Sequence, residues 1–195
     1  MKTTFNPRIT VLLLVIVGAA CTRFFTLLGH SPLINFTPIG ALALFGGAYF
    51  ENKLKAVLLP LLTLLMSDLV INTFFYHGQY GIMYEGWYFV YGVFVLMVFL
   101  GKWIIAKVNV KNILFASIAA SLSHWLISDF GVWLGGIDVT TGMPFTKDMI
   151  GLIKCYTLAI PYLQSIFVGT VVYSSIMFGA FELAQRKYPV LAIQK

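Results

Sequence analysis

Apolar residues run along this chain in long blocks, separated by short polar punctuation rather than alternating with it. About 20 apolar residues in helical form cross a bilayer core. By that length the blocks predict spans over residues 9–28, 36–50, 54–75, 87–106, 113–134 and 161–183. The second block is short and contains Pro38, Gly40, Gly46 and Gly47. The last apolar stretch, 149–183, is too long for one crossing, because at about 1.5 Å per residue it would reach about 50 Å against a core of about 30 Å. Pro161 divides it. Proline suits a first helical turn, so residues 149–160 read as a short interfacial or re-entrant helix and Pro161 begins the sixth span. The expected fold is all-α: a polytopic membrane helical bundle forming one integral domain over residues 1–195, with no soluble domain.

Composition agrees with the pattern. The chain is 59% hydrophobic and only 10% charged, where soluble domains carry about 25% charged residues. The net charge of +6 does not point to nucleic acid, because the Lys and Arg residues sit at the ends of apolar blocks and form no basic patch with interleaved polar residues. With the N-terminus inside, the inner segments hold ten of them: Lys2, Arg8, Lys53, Lys55, Lys102, Lys107, Lys111, Arg186, Lys187 and Lys195. The outer segments hold Lys147 and Lys154, and Arg23 lies within a span. Cytoplasmic loops carry such an excess, so both termini are expected in the cytoplasm. Trp87, Tyr88, Tyr84, Trp133 and Tyr162 fall near the outer interface, where aromatic rings anchor. Cys21 and Cys155 have no ligand-spaced partner and read as small buried hydrophobes. Cys21 follows a basic and then apolar segment like a secretory signal, but the apolar run resumes after Arg23, which favours an uncleaved first span.

The informative residues are polar ones inside spans. Arg23, Asp68 and Asp129 each cost at least about 2.5 kcal/mol there on insertion scales and should face protein or water. Counted from the inner start of each span, Arg23 and Asp68 lie about 21 Å up and Asp129 about 24 Å up. Three charges at nearly one level invite a shared polar site open to the outside. A structural ion pair between Arg23 and either acid is an equally open reading. Asn72 lies one turn above Asp68. Ser117, Ser121, His124 and Ser128 form one stripe of the fifth span, which small residues also favour for helix packing. Asp129 is rotated about 100° from Ser128 and looks toward a neighbouring helix. Short Pro/Gly-interrupted segments such as the second block point to binding sites in transporters. Gly46, Gly47, Gly169 and Gly179 read as packing glycines, Asp138 and Asp148 as solvated outer-loop acids with Asp148 able to cap a helix, and Glu182 as a partner of Arg186 at i,i+4.

Soluble-enzyme motifs are absent: there is no GxSxG, HExxH or GxxxxGK[ST]. A serine of the stripe beside His124 lacks the sharp turn and oxyanion donors that acyl chemistry needs. The chain is therefore not read as an enzyme, and no metal or cofactor is expected.

The run Asn35-Phe36-Thr37-Pro38-Ile39-Gly40-Ala41-Leu42-Ala43-Leu44-Phe45-Gly46-Gly47 resembles the signature of an uncharacterised family of bacterial integral membrane proteins. Ser67-Asp68-Leu69, Phe130-Gly131-Val132-Trp133 and Ala159-Ile160-Pro161-Tyr162 fit the same family. That family in turn looks similar to the six-span substrate-binding S components of energy-coupling factor vitamin transporters. The resemblance implies a bacterial cytoplasmic membrane location, a pocket near the outer face for a vitamin-like metabolite, and a cytoplasmic ATPase or coupling module as partner beside the lipid bilayer itself. On that reading Arg23 engages an anionic group or holds the acids, and Asp68 and Asp129 bind a cationic or hydrogen-bonding group. Asn35, Asn72 and His124 then add neutral contacts, and Trp125 or Trp133 a stacking wall. Three other readings stay open: a proton-coupled secondary carrier, a structural or assembly membrane protein, and an intramembrane enzyme.

Overall fold

The computed structural model describes residues 6–25, 36–79, 83 and 85–191. The described residues form seven α-helices: α1 (Pro7–Phe25), α2 (Ile39–Tyr49), α3 (Lys53–Val70), α4 (Trp87–Ile104), α5 (Val110–Gly135), α6 (Met149–Leu158) and α7 (Ile160–Lys187). A π-helical turn, Ile71–Phe75, prolongs α3. A two-residue hairpin pairs β1 (Ile137–Asp138) with β2 (Met143–Pro144), and a 3₁₀ turn follows α7. The all-α bundle expected from the blocks is present. Asn35 and Tyr84 lie outside the described residues.

Five helices, α1, α3 with its π turn, α4, α5 and α7, are long and apolar enough to cross a membrane. Their outward faces are apolar too. Leu54, Leu58, Leu62 and Met66, spaced four apart on α3, are all exposed, as are Leu14, Trp103, Phe115 and Ile176. Four-residue spacing makes a continuous stripe, and such stripes face lipid in a bundle whose core is closed. The surface as well as the length pattern is suited to a membrane.

The second block departs from a full span. It folds as 11 residues, about 16 Å of helix at the usual rise, roughly half of a bilayer core. Its apolarity has no preferred side, the pattern of a helix enclosed all round. Leu42, Ala43, Leu44 and Phe45 are each 0% exposed. Around it pack α1, α3, α4, α5 and α7.

Glycines permit that enclosure. A Cβ on Gly47 would stand 1.9 Å from the Val98 carbonyl oxygen of α4, and one on Gly101 of α4 would stand 2.5 Å from the Leu44 carbonyl oxygen. The two backbones meet at reciprocal glycines. Gly46 receives the ring of Pro60 from α3, and Gly40 receives Thr170 from α7. Gly169 lies against the backbone of Thr37, whereas Gly179 has open space before it and packs against nothing.

Helix ends obey local chemistry. Asn52 accepts from the amides of Leu54 (2.9 Å) and Lys55 (3.2 Å) to start α3. Asn109 accepts from Asn112 (2.9 Å) at α5, and Asp148 from Gly151 (2.7 Å) at α6. These are N-caps. The long last stretch breaks at Ala159, and Pro161 occupies the first turn of α7, as the sequence predicts.

The end of the bundle that gathers Lys53, Lys102, Lys111, Arg186 and Arg8 is called the basic end below. There Arg8 donates to the Tyr49 carbonyl (3.2 Å), to the Gln185 side chain (3.4 Å) and to the Leu191 carbonyl. Its guanidinium lies 5.5 Å from the Phe181 ring centre. The Tyr49 hydroxyl donates to Glu182 at 2.6 Å. This network ties α1, α2, α7 and the 3₁₀ turn together. It also corrects the expected Glu182–Arg186 pair: Glu182 turns inward to Tyr49 and Gln185, because a buried hydroxyl without another acceptor competes better than a solvated arginine. Cys21 is likewise corrected, being exposed, while Cys155 is buried.

Gly47→Ala and Gly101→Ala should each destabilise the protein by about 1–3 kcal/mol, the usual range for forced overpacking. Gly18 and Gly92 have open space around them, and alanine there should be neutral or stabilising by up to about 1 kcal/mol. Thermal unfolding of the four variants in detergent checks both signs.

Candidate functional site

The last turn of α1 carries Arg23, a position that a helix dipole favours for a cation. Its guanidinium makes an ion pair with Asp68 of α3 at 2.6 Å, the two side chains being 11% and 9% exposed. The neighbouring Ser67 hydroxyl accepts a second bond from Arg23 and donates its own proton to the Leu64 carbonyl at 2.8 Å. On its other oxygen Asp68 accepts from the Tyr91 hydroxyl of α4 at 2.8 Å. Trp87 meets the Tyr91 ring edge-on at 5.5 Å. Three helices are thus clamped through one carboxylate. In an apolar surround a charge pair with both acid oxygens engaged is the stable arrangement, and removing one member leaves the other stranded.

Immediately beyond this clamp the helix loosens. Asn72 sits in the π turn, where the Tyr76 amide bonds back to the Ile71 carbonyl at 3.1 Å. The chain then reverses through His77 and Gly78, both with positive φ. π turns recur at functional sites because the widened turn redirects side chains.

Asp129 does not join the clamp. It makes no ion pair among the described residues. Its neighbours are on α6: the Cys155 thiol donates to its backbone carbonyl at 3.4 Å. The expected cluster of three charges is therefore two groups, one on α1, α3 and α4, the other on α5 and α6. Depth along a helix places a residue at a level but says nothing of its direction around the bundle, and α6 occupies the side toward which Asp129 turns.

The α5 group differs from the clamp in an important respect. The hydroxyls of Ser121 and Ser128 and the indole nitrogen of Trp125 are buried with no hydrogen-bond partner, as are the hydroxyls of Thr170 and Ser174 on α7. The α5 and α7 helices pack against each other. Buried polar atoms are ordinarily satisfied, and serine or threonine in a membrane helix normally bonds its own backbone, as Ser117 does to the Ile113 carbonyl at 2.8 Å. Thr170 packs onto Gly40 of α2; the other four unmet groups, on two adjoining helices, are hydrogen-bonding capacity that this bundle leaves unspent. The Trp125 ring is held edge-on by Tyr156 at 5.0 Å, and the Tyr156 hydroxyl is fixed to the Leu126 carbonyl at 2.7 Å. His124 stands half-buried on the same stripe.

Trp133, expected as a stacking wall, is a loop anchor instead. Its indole donates to the Thr146 carbonyl at 2.9 Å, and Lys147 lies over its ring at 5.6 Å while bonding its backbone carbonyl. Its neighbour Gly135 borders a cleft of about 310 Å³ at this end, together with Glu85, Tyr88, Ser128 and Gly131. The loop between α5 and α6 is stapled by Asp138, which is buried at 5% exposure rather than solvated. Asp138 takes bonds from Lys154 of α6 and from the amide and hydroxyl of Thr140. These hold its carboxyl well below the usual carboxylate range, the Lys154 bond foremost. Asp148 is lowered as well, first by its capping bond from the Gly151 amide.

Sequence reasoning missed Tyr91, Tyr156, Thr170 and Ser174. The available signal was that a tyrosine within an apolar helix has a hydroxyl that must find a partner.

Two expectations follow. Arg23→Ala or Asp68→Ala alone should destabilise by about 3–5 kcal/mol, whereas Arg23→Met with Asp68→Leu should cost much less than the two losses added; chemical denaturation of the three variants measures it. For Asp138 the native pKa is depressed, so its contribution to loop docking is fully present above about pH 4, the ordinary aspartate value, and is lost as the pH falls through the native value. Hydrogen exchange over residues 136–150, corrected for intrinsic rate, should show acid release in the wild type and, in Asp138→Asn, a weaker dock at neutral pH with a smaller acid-dependent change.

Comparison with curated proteins and with solved structures finds no match to either. Over residues 3–191 the chain matches the model titled "Family of unknown function (DUF6580)", and it belongs to that family.

Proposed function

We propose that this chain is the small-molecule-binding component of a membrane transport system, taking a polar, vitamin-like metabolite from the side opposite the basic end. Support comes chiefly from one observation: four buried polar groups without protein partners, Ser121, Trp125 and Ser128 on α5 and Ser174 on α7, lie on adjoining helices, and Asp129, next to Ser128 in the chain, makes no ion pair among the described residues. A ligand with hydrogen-bond donors would meet that unmet capacity, and aromatic Trp125 would flank it. Pockets for small molecules combine apolar walls with a few convergent polar groups in this way.

On this reading the basic end faces the cytoplasm of a bacterial inner membrane, in accord with the ten-to-two distribution of Lys and Arg. The resemblance to S components of energy-coupling factor transporters supports the same orientation and the same division of labour. The sequence contains no phosphate-binding loop, so ATP-driven uptake would draw energy from a cytoplasmic ATPase or coupling partner. Arg23 and Asp68 serve here as the clamp that holds α1, α3 and α4 around the site rather than as its principal ligand contacts, since both Asp68 oxygens are engaged.

Mass spectrometry of small molecules co-purifying with the protein tests the proposal. A single metabolite should be recovered at near-stoichiometric amount, and it should raise the melting temperature when added back. Asp129→Asn and Ser128→Ala should each reduce its retention by about tenfold, the loss of one hydrogen bond to a buried charged or polar partner, while leaving the apo melting temperature close to wild type. A ligand-free preparation whose melting temperature is unmoved by a broad metabolite panel would overturn it.

A further inference from the structure

At the basic end α5 and α7 diverge and leave a groove of about 410 Å³ open to the side of the bundle. Its long walls are apolar, from Ile113 and Leu114 on α5 and Phe178 on α7. Gly179 lies in the groove with nothing within contact of its missing Cβ, so the groove is shaped partly by the absence of a side chain. Its mouth is different in kind. There Asn109, the N-cap of α5, and Arg186, in the last turn of α7, face one another across the opening.

We propose that this groove seats one anionic glycerophospholipid of the bilayer, with an acyl chain along Ile113, Leu114 and Phe178 and the headgroup phosphate at the mouth. Three observations converge. The groove opens laterally between two membrane-crossing helices, where acyl chains are the available solvent. Its polar end offers donors to an anion: Arg186 is exposed, and helix geometry leaves the amides of Val110 and Lys111 without intrahelical acceptors at the positive end of the α5 dipole. Glu182 also borders the groove, with its Oε1 accepting from Tyr49 at 2.6 Å and Gln185 at 3.2 Å on the interior side. Arg186 is the cation that lines the groove. A zwitterionic lipid would bring the same phosphate together with a quaternary ammonium that Arg186 repels, so the site selects net negative charge. Basic clefts between membrane helices recognise lipid headgroups by this chemistry. The inference requires only that the chain spans a bilayer, and it stands or falls separately from the transport reading.

Native mass spectrometry of the full chain, ejected from nanodiscs holding equal phosphatidylglycerol and phosphatidylcholine, provides the test. One basic residue at a membrane surface is worth about 1 kcal/mol, a preference of about fivefold, so bound phosphatidylglycerol should exceed bound phosphatidylcholine by about that factor. Arg186→Gln should bring the ratio to parity with lipid still bound. Gly179→Leu should fill the groove and remove the bound lipid of either kind; Ser175→Leu on the same exposed wall serves if the first variant melts below wild type. Lys53→Gln, at the basic end but outside the groove, should leave the ratio unchanged. Equal binding of both lipids in the wild type, a preference that survives Arg186→Gln, or one that Lys53→Gln lowers equally would each overturn the site.

Discussion

Backbone-to-backbone contact between α2 and α4 is the constraint on which the rest of the structure depends. At Gly47 and Gly101 the two helices approach more closely than any side chain would allow. That approach lets α2 be sheathed by five neighbours, and the sheath in turn fixes where the other helices stand. Pro60, which would weaken an isolated α3 by removing a backbone hydrogen bond, is buried against Gly46 and so contributes packing. The same enclosure explains why α2 needs no amphipathic face: it has no side that meets lipid.

Polar groups in the bundle fall into two kinds with opposite consequences. Arg23, Asp68, Ser67 and Tyr91 satisfy one another, as do Arg8, Tyr49, Glu182 and Gln185 at the basic end. Closed networks of this sort hold helices in register and offer little to a ligand. The hydroxyls of α5 and α7 with Trp125 are left open. A chain that spends two networks on fixing its helices and leaves a third set unmet separates support from capacity, and the transport reading rests on the third set alone.

Much of this was legible in the sequence, and the limits are physical. Block length located α1, α3, α4, α5 and α7 to within a few residues, because lipid thickness dictates helix length. Pro161 marked the α6–α7 break, since proline cannot continue a helix. The glycines of the second block were recognised as packing residues at Gly46 and Gly47, yet Gly179 has the same chemistry and packs against nothing; a glycine does not record what lies opposite it. Equal depth offered Arg23 either acid, and Asp68 is the one it meets. Asp129 shared the depth without sharing the partner, because angle around the bundle depends on how all the helices pack. Glu182 shows the same limit: helical spacing offered Arg186, and a tyrosine 133 residues away in sequence took the bond.

The brevity of α2 has a consequence for biogenesis. A segment that reaches only about halfway through the hydrocarbon leaves unsatisfied peptide groups at its ends among acyl chains, which lipid does not solvate. It cannot rest in the bilayer as an independent span. Joined to α3 through residues 50–52, it must enter as one arm of a helical hairpin and wait. Three of its enclosing walls, α4, α5 and α7, are translated after that hairpin. Insertion and assembly are therefore coupled in this protein, and the interior that holds α2 comes into being only after α7 has been made.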